Sequence, residues 1–407
     1  MTTVAHASAT HATETLLFYT LLQLAIIVLA ARLGGILARR LGQSTAVGEI
    51  IVGILLGPSL FGALAPDTFA LVFRSTPPQP LTILSQVGLL LLMFQIGLEF
   101  DFSHLTEKRN RRAVMWVAFA GLAAPFGLGL WFAGLIPPAY ALGTGAPNAT
   151  AFALFFATSM SITALPILGR IMIEFDLTRT PLGVIAISAA AINDVVGWLA
   201  LALVTALTTA EFSGGDFSLR VLGVFGFFIV AWWGVRPVLG RWVDGQMQLQ
   251  MQRQLDRPMD QLMVRPKAPH PGDQASPDTT VQPWSPGDRA PELPPTLMGV
   301  VIAAIFVGGM TTYQLGIFAI FGGFTMGVLL HDRLGFVAAW KERVGSFVNV
   351  FFLPIFFTYT GLRTDIGSLH DATDWAWCLV VIAAATLGKC GACWLAARVA
   401  GLSGPQA

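Results

Sequence analysis

Two short runs carry the side chains with chemistry in this 407-residue chain. One is Thr158-Ser-Met-Ser-Ile-Thr-Ala-Leu-Pro166, where Ser159, Ser161 and Thr163 precede a proline inside an apolar stretch. The other is Ala189-Ala-Ala-Ile-Asn-Asp-Val-Val-Gly-Trp198, where Asp194 is the sole ionisable side chain of the apolar run 182–207. A carboxylate at bilayer depth is costly and by default marks an ion or proton path. Proline has no backbone N–H, so it leaves an upstream carbonyl without its helical partner. Such backbone is tolerated in a membrane only where protein or a polar cavity covers it. Together the runs predict a cation site shared between a broken helix and a buried acid.

Each side chain has a defined chemical reach. Low dielectric disfavours the charged form of a buried acid, so Asp194 can hold either a proton or a monovalent cation. Thr163, with Ser161 and Ser159, offers hydroxyl or freed carbonyl oxygens to a hard cation; Na⁺ and K⁺ both take oxygen ligands, so these residues do not choose between them. The competing use of those hydroxyls is bonding back to their own helix. Asn193 supplies a carbonyl ligand or orients a partner helix, and its amide cannot carry a proton. With one titrating acid, the simplest stoichiometry is one proton against one monovalent cation, which is electroneutral. Lys389 is the second charge deep in a span, 14 residues beyond Trp375 and too deep for easy snorkelling to the outer end. It is expected to pair with Asp194 when no cation is bound; the alternatives are a neutral lysine or another partner.

These residues need membrane helices to hold them, and the composition supplies them. The chain is 55% hydrophobic and 12% charged, with a mean hydropathy of +0.68. Soluble domains carry about 25% charged residues, so the fold class is an all-α polytopic membrane protein. A net charge of +1 argues against nucleic acid as a partner. Eleven candidate spans follow, at 16–37, 46–64, 81–98, 114–136, 149–173, 182–207, 221–239, 297–312, 317–330, 347–362 and 375–399. The first lacks the basic region of a secretory signal and is expected to be retained.

Loop charges set the orientation. Arg39 and Arg40, then Lys108 to Arg112, then Arg170 and Arg179, then Arg333, Lys341 and Arg343 all follow odd-numbered spans. The N-terminus is therefore expected outside, with the C-terminus cytoplasmic. Between the membrane halves 1–241 and 296–407 lies 242–295, also expected in the cytoplasm. Its first part, rich in Gln and Met, can prolong span seven as a helix; the rest holds ten prolines between Pro258 and Pro295 and reads as an extended linker. Cys378, Cys390 and Cys393 sit in or beside the last span and read as packing residues. Glu49 and Glu99, near span ends, read as entrance or packing residues, and His331-Asp-Arg333 as a solvated loop. Nothing in the chain has the spacing of a P-loop, a nucleophile elbow or a metal-binding His/Cys set, so no enzyme and no cofactor is expected.

The chain resembles the monovalent cation:proton antiporters, in the branch of bacterial Na⁺/H⁺ and K⁺/H⁺ antiporters and plant cation/H⁺ exchangers. The resemblance runs through Val47-Gly-Glu-Ile-Ile-Val-Gly-Ile-Leu-Leu-Gly-Pro58, Gly88 to Glu99, Ser161 to Arg170, Ser188-Ala-Ala-Ala-Ile-Asn-Asp194, Phe321 to Gly327 and Pro354 to Asp365. It implies an inverted-repeat antiporter fold with a discontinuous helix, a homodimer in the lipid bilayer of a cell inner membrane, and a core that carries its ion by an elevator-like movement. It also implies that Asp194 binds cation and proton, that Asn193 divides electroneutral from electrogenic members, that the segment around Thr163 and Pro166 completes the site, and that Lys389 meets the acid. Members of this branch carry a second broken helix after the lysine-bearing span. This sequence stops at Gly401-Leu-Ser-Gly-Pro-Gln-Ala407, where that helix would follow. The expectation is a C-terminally truncated chain or one completed by a neighbour. The runner-up function is a truncated or inactive relative serving as a membrane scaffold or cation sensor.

Overall fold

The computed structural model describes residues 2–100, 106–136, 149–208, 214–255 and 293–402. Its helices follow the apolar runs. The first, α1 (Thr2–Arg40), closes on Arg39 and Arg40, cations that suit the negative end of the helix dipole. Gly42, with φ +72°, turns the chain, and the Ser44 hydroxyl accepts the Ala46 N–H to cap α2 (Thr45–Leu56). Short helical turns lead to α3 (Gln79–Leu98), followed by α4 (Lys108–Ala133). The fifth apolar run forms two helices, α5 (Ala149–Ser161) and α6 (Leu165–Glu174), with non-helical backbone at 162–164. Next come α7 (Pro181–Thr208) and α8 (Gly214–Val230), which passes through a π turn into α9 (Arg236–Leu255). The Gln- and Met-rich piece 246–253 thus prolongs the seventh span as a helix, as its composition suggests. The proline-rich part, 256–292, lies outside the described residues.

The remaining helices are α10 (Pro295–Gln314), α11 (Ile320–Leu330), α12 (Leu334–Trp340), α13 (Leu353–Leu362) and α14 (Ala372–Val399). Among the described residues, nine helices are long and apolar enough to cross a membrane. A bent pair, Leu334–Gly345 with Val348–Ser368 at 42°, makes a tenth. The ninth expected span, 317–330, folds as the 11-residue α11. At 1.5 Å per residue it covers about 17 Å, short of the roughly 30 Å hydrocarbon core. Leu33, Leu37, Phe225 and Trp233 are exposed apolar side chains on these helices, as a lipid-facing surface requires. The protein is a multi-pass membrane protein.

The helices sort into two groups. One packs α1, α2, α3, α10, α11 and α13 together; the other packs α4, α5, α7 and α14. Helix α6 touches both, lying on α7 in the second group and on α2 and α3 in the first. Each half of the sequence contributes to both groups.

Two crossings in the first group are built alike. At the contact of α2 with α13, a Cβ on Gly53 would strike the Thr358 carbonyl and one on Gly361 the Ile50 carbonyl. At the contact of α3 with α11, Gly97 stands against the Phe324 carbonyl and Gly327 against the Phe94 carbonyl. In every case the glycine meets the carbonyl three residues before the partner glycine. The local sequences agree, Gly53-Ile-Leu-Leu with Gly327-Val-Leu-Leu and Gly97-Leu-Glu with Gly361-Leu-Arg. Exchanging the two pairs maps α2 onto α11 and α3 onto α13, the internal correspondence that a repeat architecture requires. Small residues at such crossings let backbones approach where lipid provides no hydrophobic drive.

Candidate ion-binding site

Two charged side chains take three of the backbone groups that the break in α5–α6 frees. In an unbroken helix the Leu165 N–H would bond the Ser161 carbonyl, and residue 166 would bond the Ile162 carbonyl. Pro166 stands at the second position of α6 and has no N–H to give. The Leu165 N–H instead donates to Asp194 Oδ2 at 3.1 Å. Lys389 Nζ donates to both abandoned carbonyls, Ser161 at 2.9 Å and Ile162 at 2.8 Å. The acid therefore sits at the positive end of one half-helix and the lysine at the negative end of the other, each the sign the dipole favours. Helix α6 has no side-chain cap of its own; Asp194 serves as one from α7.

Asp194 and Asn193 are buried, at 3% and 4% exposure, near the middle of the 28-residue α7. Gly197 keeps the break close to α7, since a Cβ there would lie 2.5 Å from Ile162 Cγ1. Asn193 faces another way: its Nδ2 lies 3.1 Å from where a Cβ on Gly121 of α4 would stand, beside Cys393 of α14. Thr163 stands in the break, half-buried. Ser161 contributes its carbonyl, while its hydroxyl donates to Thr158 O at 2.9 Å within its own helix. Ser159 is exposed on α5.

The expected contact of Lys389 with Asp194 takes a different form. No ion pair within 4 Å joins them among the described residues, and the ammonium spends its bonds on the two carbonyls. Electrostatic influence between the two remains. The cysteines are free; Cys390 is exposed rather than packed, and Cys378 and Cys393 are half-buried.

Residues 26–251 and 290–405 match the family described as sodium/hydrogen exchanger, transmembrane. The chain belongs to that family. Its relatives include the Na⁺/H⁺ antiporter NhaS4 of Synechocystis sp., 31% identical over 399 residues that cover 97% of this chain and 85% of the relative. The Cation/H⁺ antiporter 18 of Arabidopsis thaliana is 31% identical, over 91% of this chain and 40% of its own length. The K⁺/H⁺ antiporter 1 of Saccharomyces cerevisiae is 28% identical, over 94% and 39%. The chain thus spans about two fifths of the plant and yeast proteins. The family is one of transporters, not enzymes.

The chain holds a second polar cluster that sequence reading missed. Arg170 reads as a loop charge after span five, yet it lies inside α6 at 8% exposure. It donates from Nη1 to Asn349 Oδ1 at 2.7 Å. Glu174, at the end of α6, accepts from the Ser44 hydroxyl at 2.7 Å, from the Thr45 N–H at 3.0 Å and from the Thr45 hydroxyl at 2.9 Å. Its carboxylate thereby caps the N-terminus of α2. Glu49 and Glu99, read as lying near the interface, are also buried, at 2% and 6% exposure. Glu99 meets Lys341 at 3.5 Å and accepts from the Thr178 hydroxyl at 3.3 Å. The signal available in the sequence was amphipathic: Arg170 and Glu174 are four apart, on one face of a short helix.

Proposed function

We propose that this chain exchanges a monovalent cation, Na⁺ or K⁺, for a proton, and that the two compete for Asp194. The observation that carries the reading is the pairing of Asp194 with the Leu165 N–H at the positive end of a half-helix, in a break 2.9 Å from Lys389. Half-helix ends meeting near the bilayer midplane are a recurrent way to build an ion site from backbone. The names of the relatives, which read Na⁺/H⁺, cation/H⁺ and K⁺/H⁺ antiporter, support the same reaction and leave the ion open.

In the proton-loaded form, Asp194 Oδ carries the proton and is neutral. In the cation-loaded form, the carboxylate, Thr163 and oxygens of the break hold the ion. Lys389 holds the Ser161 and Ile162 carbonyls whichever occupant is present, so the break stays shaped while the charge on Asp194 changes. One acid gives one proton per monovalent cation. Helix α6 carries the site's N-terminus and touches both helix groups, so sliding one group past the other would move the site between faces of the membrane. We further infer a homodimer in the cell inner membrane, with the N-terminus outside. The linker 242–295 and the C-terminus are then cytoplasmic, and the halves 1–241 and 296–407 act as paired membrane units.

The test is cation-driven proton movement in proteoliposomes, with Na⁺ and K⁺ compared. Asp194→Asn is expected to abolish the movement while the protein keeps its elution profile in detergent. Exchange at the parental rate in that variant refutes the assignment.

A further inference from the structure

Where α6 ends, the protein surface opens into a polar cavity whose lining shares no residue with the Asp194 site. It has a volume of about 510 Å³ and is bordered by Arg32, Arg39, Gln43, Arg170, Glu174 and Asn349. Three guanidinium groups thus face one carboxylate. Glu49, behind the wall, lies within electrostatic reach of all three arginines. Counting both acids as charged, three positive charges against two negative leave one positive charge in excess.

The excess falls on Arg32. Arg170 is bonded to Asn349, and Arg39 Nε lies 3.7 Å from Glu174. Arg32 has no hydrogen bond or ion pair among the described residues. It also sits seven residues before Arg39, on the same face of α1 and about 10 Å further into the span. An arginine inside a membrane segment pairs with something or reaches out to the interface. Arg32 borders a polar cavity instead, with Arg39 above it and Arg170 contributed by α6.

We propose that this cavity binds a phosphate-bearing anion, gripped by Arg32 and Arg39 of α1 together with Arg170 of α6. Guanidinium forks match phosphate oxygens two at a time, and Glu174 does not repel such a ligand strongly because the α2 N-terminus and Arg39 already offset its charge. The phosphate can come from an anionic lipid headgroup or from a free phosphate. The proposal is read by binding alone and stands whether or not Asp194 exchanges ions.

The test uses the full chain purified in a neutral detergent. Its thermal unfolding midpoint is followed against inorganic phosphate and, separately, against added phosphatidylglycerol or phosphatidylcholine, since a ligand that binds the native state raises that midpoint. The midpoint is expected to rise with phosphate, with phosphatidylglycerol or with both, and not with phosphatidylcholine, whose choline cancels the charge. A rise with phosphatidylglycerol alone identifies a lipid; a rise with phosphate alone identifies a soluble anion. Arg32→Gln is expected to raise the half-saturating concentration at least about tenfold, the loss of one charge-assisted contact. Arg40→Gln, one residue beyond the cavity wall, is expected to leave it unchanged. Should Arg32→Gln not fold, Arg39→Gln carries the same expectation. No rise in the parental protein with either source, or an undiminished rise in both cavity variants, overturns the proposal.

Discussion

Lys389 and Asp194 do for the broken helix what its own next turn would have done. That makes Lys389 a structural residue as well as a charge. Lys389→Ala would leave the Ser161 and Ile162 carbonyls buried without donors, at a cost of about 2 kcal/mol. The unfolding midpoint in detergent should fall accordingly, and the pH profile of exchange should shift because a cation beside Asp194 is gone. An unchanged midpoint would contradict the role of the carbonyl contacts. Asn193→Asp adds a second buried acid, so exchange should become sensitive to membrane potential; a rate indifferent to potential would contradict the single-acid stoichiometry. Asp194 and Pro166 were legible in the sequence, because a lone acid in an apolar run and a proline after hydroxyls each break a rule of membrane helices. The bonding of Lys389 was not. Side-chain letters suggest a partner of opposite charge, whereas the groups it reaches are backbone carbonyls that any residue would carry. Hydroxyl spacing likewise says nothing about which face of α5 turns inward, where Ser161 is buried and Ser159 exposed.

Helix positions were largely readable because twenty apolar residues in a row leave few alternatives. Segment 317–330 is the exception, with glycines at 322, 323 and 327 that serve close crossings rather than length. Those crossings are testable. Gly97→Val puts a branched side chain against the Phe324 carbonyl and should destabilise the protein by about 1–3 kcal/mol; Gly299→Val, at a glycine with open space around it, should not. Equal midpoints for the two would count against the crossing. At the turn between α11 and α12, read as a solvated loop, Asp332 accepts from Arg236 at 2.9 Å and Arg333 meets Asp244 of α9 at 3.1 Å. Burial pushes the Asp332 carboxyl up, but the Arg236 hydrogen bond and the charges of Arg333, Arg236 and His331 outweigh it and hold the group below the usual carboxylate range. A lowered value in the folded state stabilises above the unfolded value, about 3.9, and is lost as pH falls through the folded one. Asp332→Asn should therefore be less stable than the parent near neutrality and converge with it in strong acid. A gap that persists in acid would contradict this.

Taken whole, the molecule is two groups of helices with α6 between them. One end of α6 holds Asp194 through Leu165; the other is tied by Arg170 and Glu174 to Asn349, Ser44 and Thr45 of the first group. Any movement of α6 away from the first group must break those bonds, which places that cost at the end of α6 opposite the break. Sequence order could not reveal the grouping, since α14 joins α4 across most of the chain and no local pattern records it. What remains central is the exclusion of cation by proton at one carboxylate. The direct measurement is the apparent cation affinity of exchange in proteoliposomes as the pH is stepped through the acid limb. One proton displacing one cation predicts an affinity that falls about tenfold per pH unit with the maximal rate preserved. An affinity that stays constant across that limb, with only the maximal rate changing, would contradict competition at Asp194.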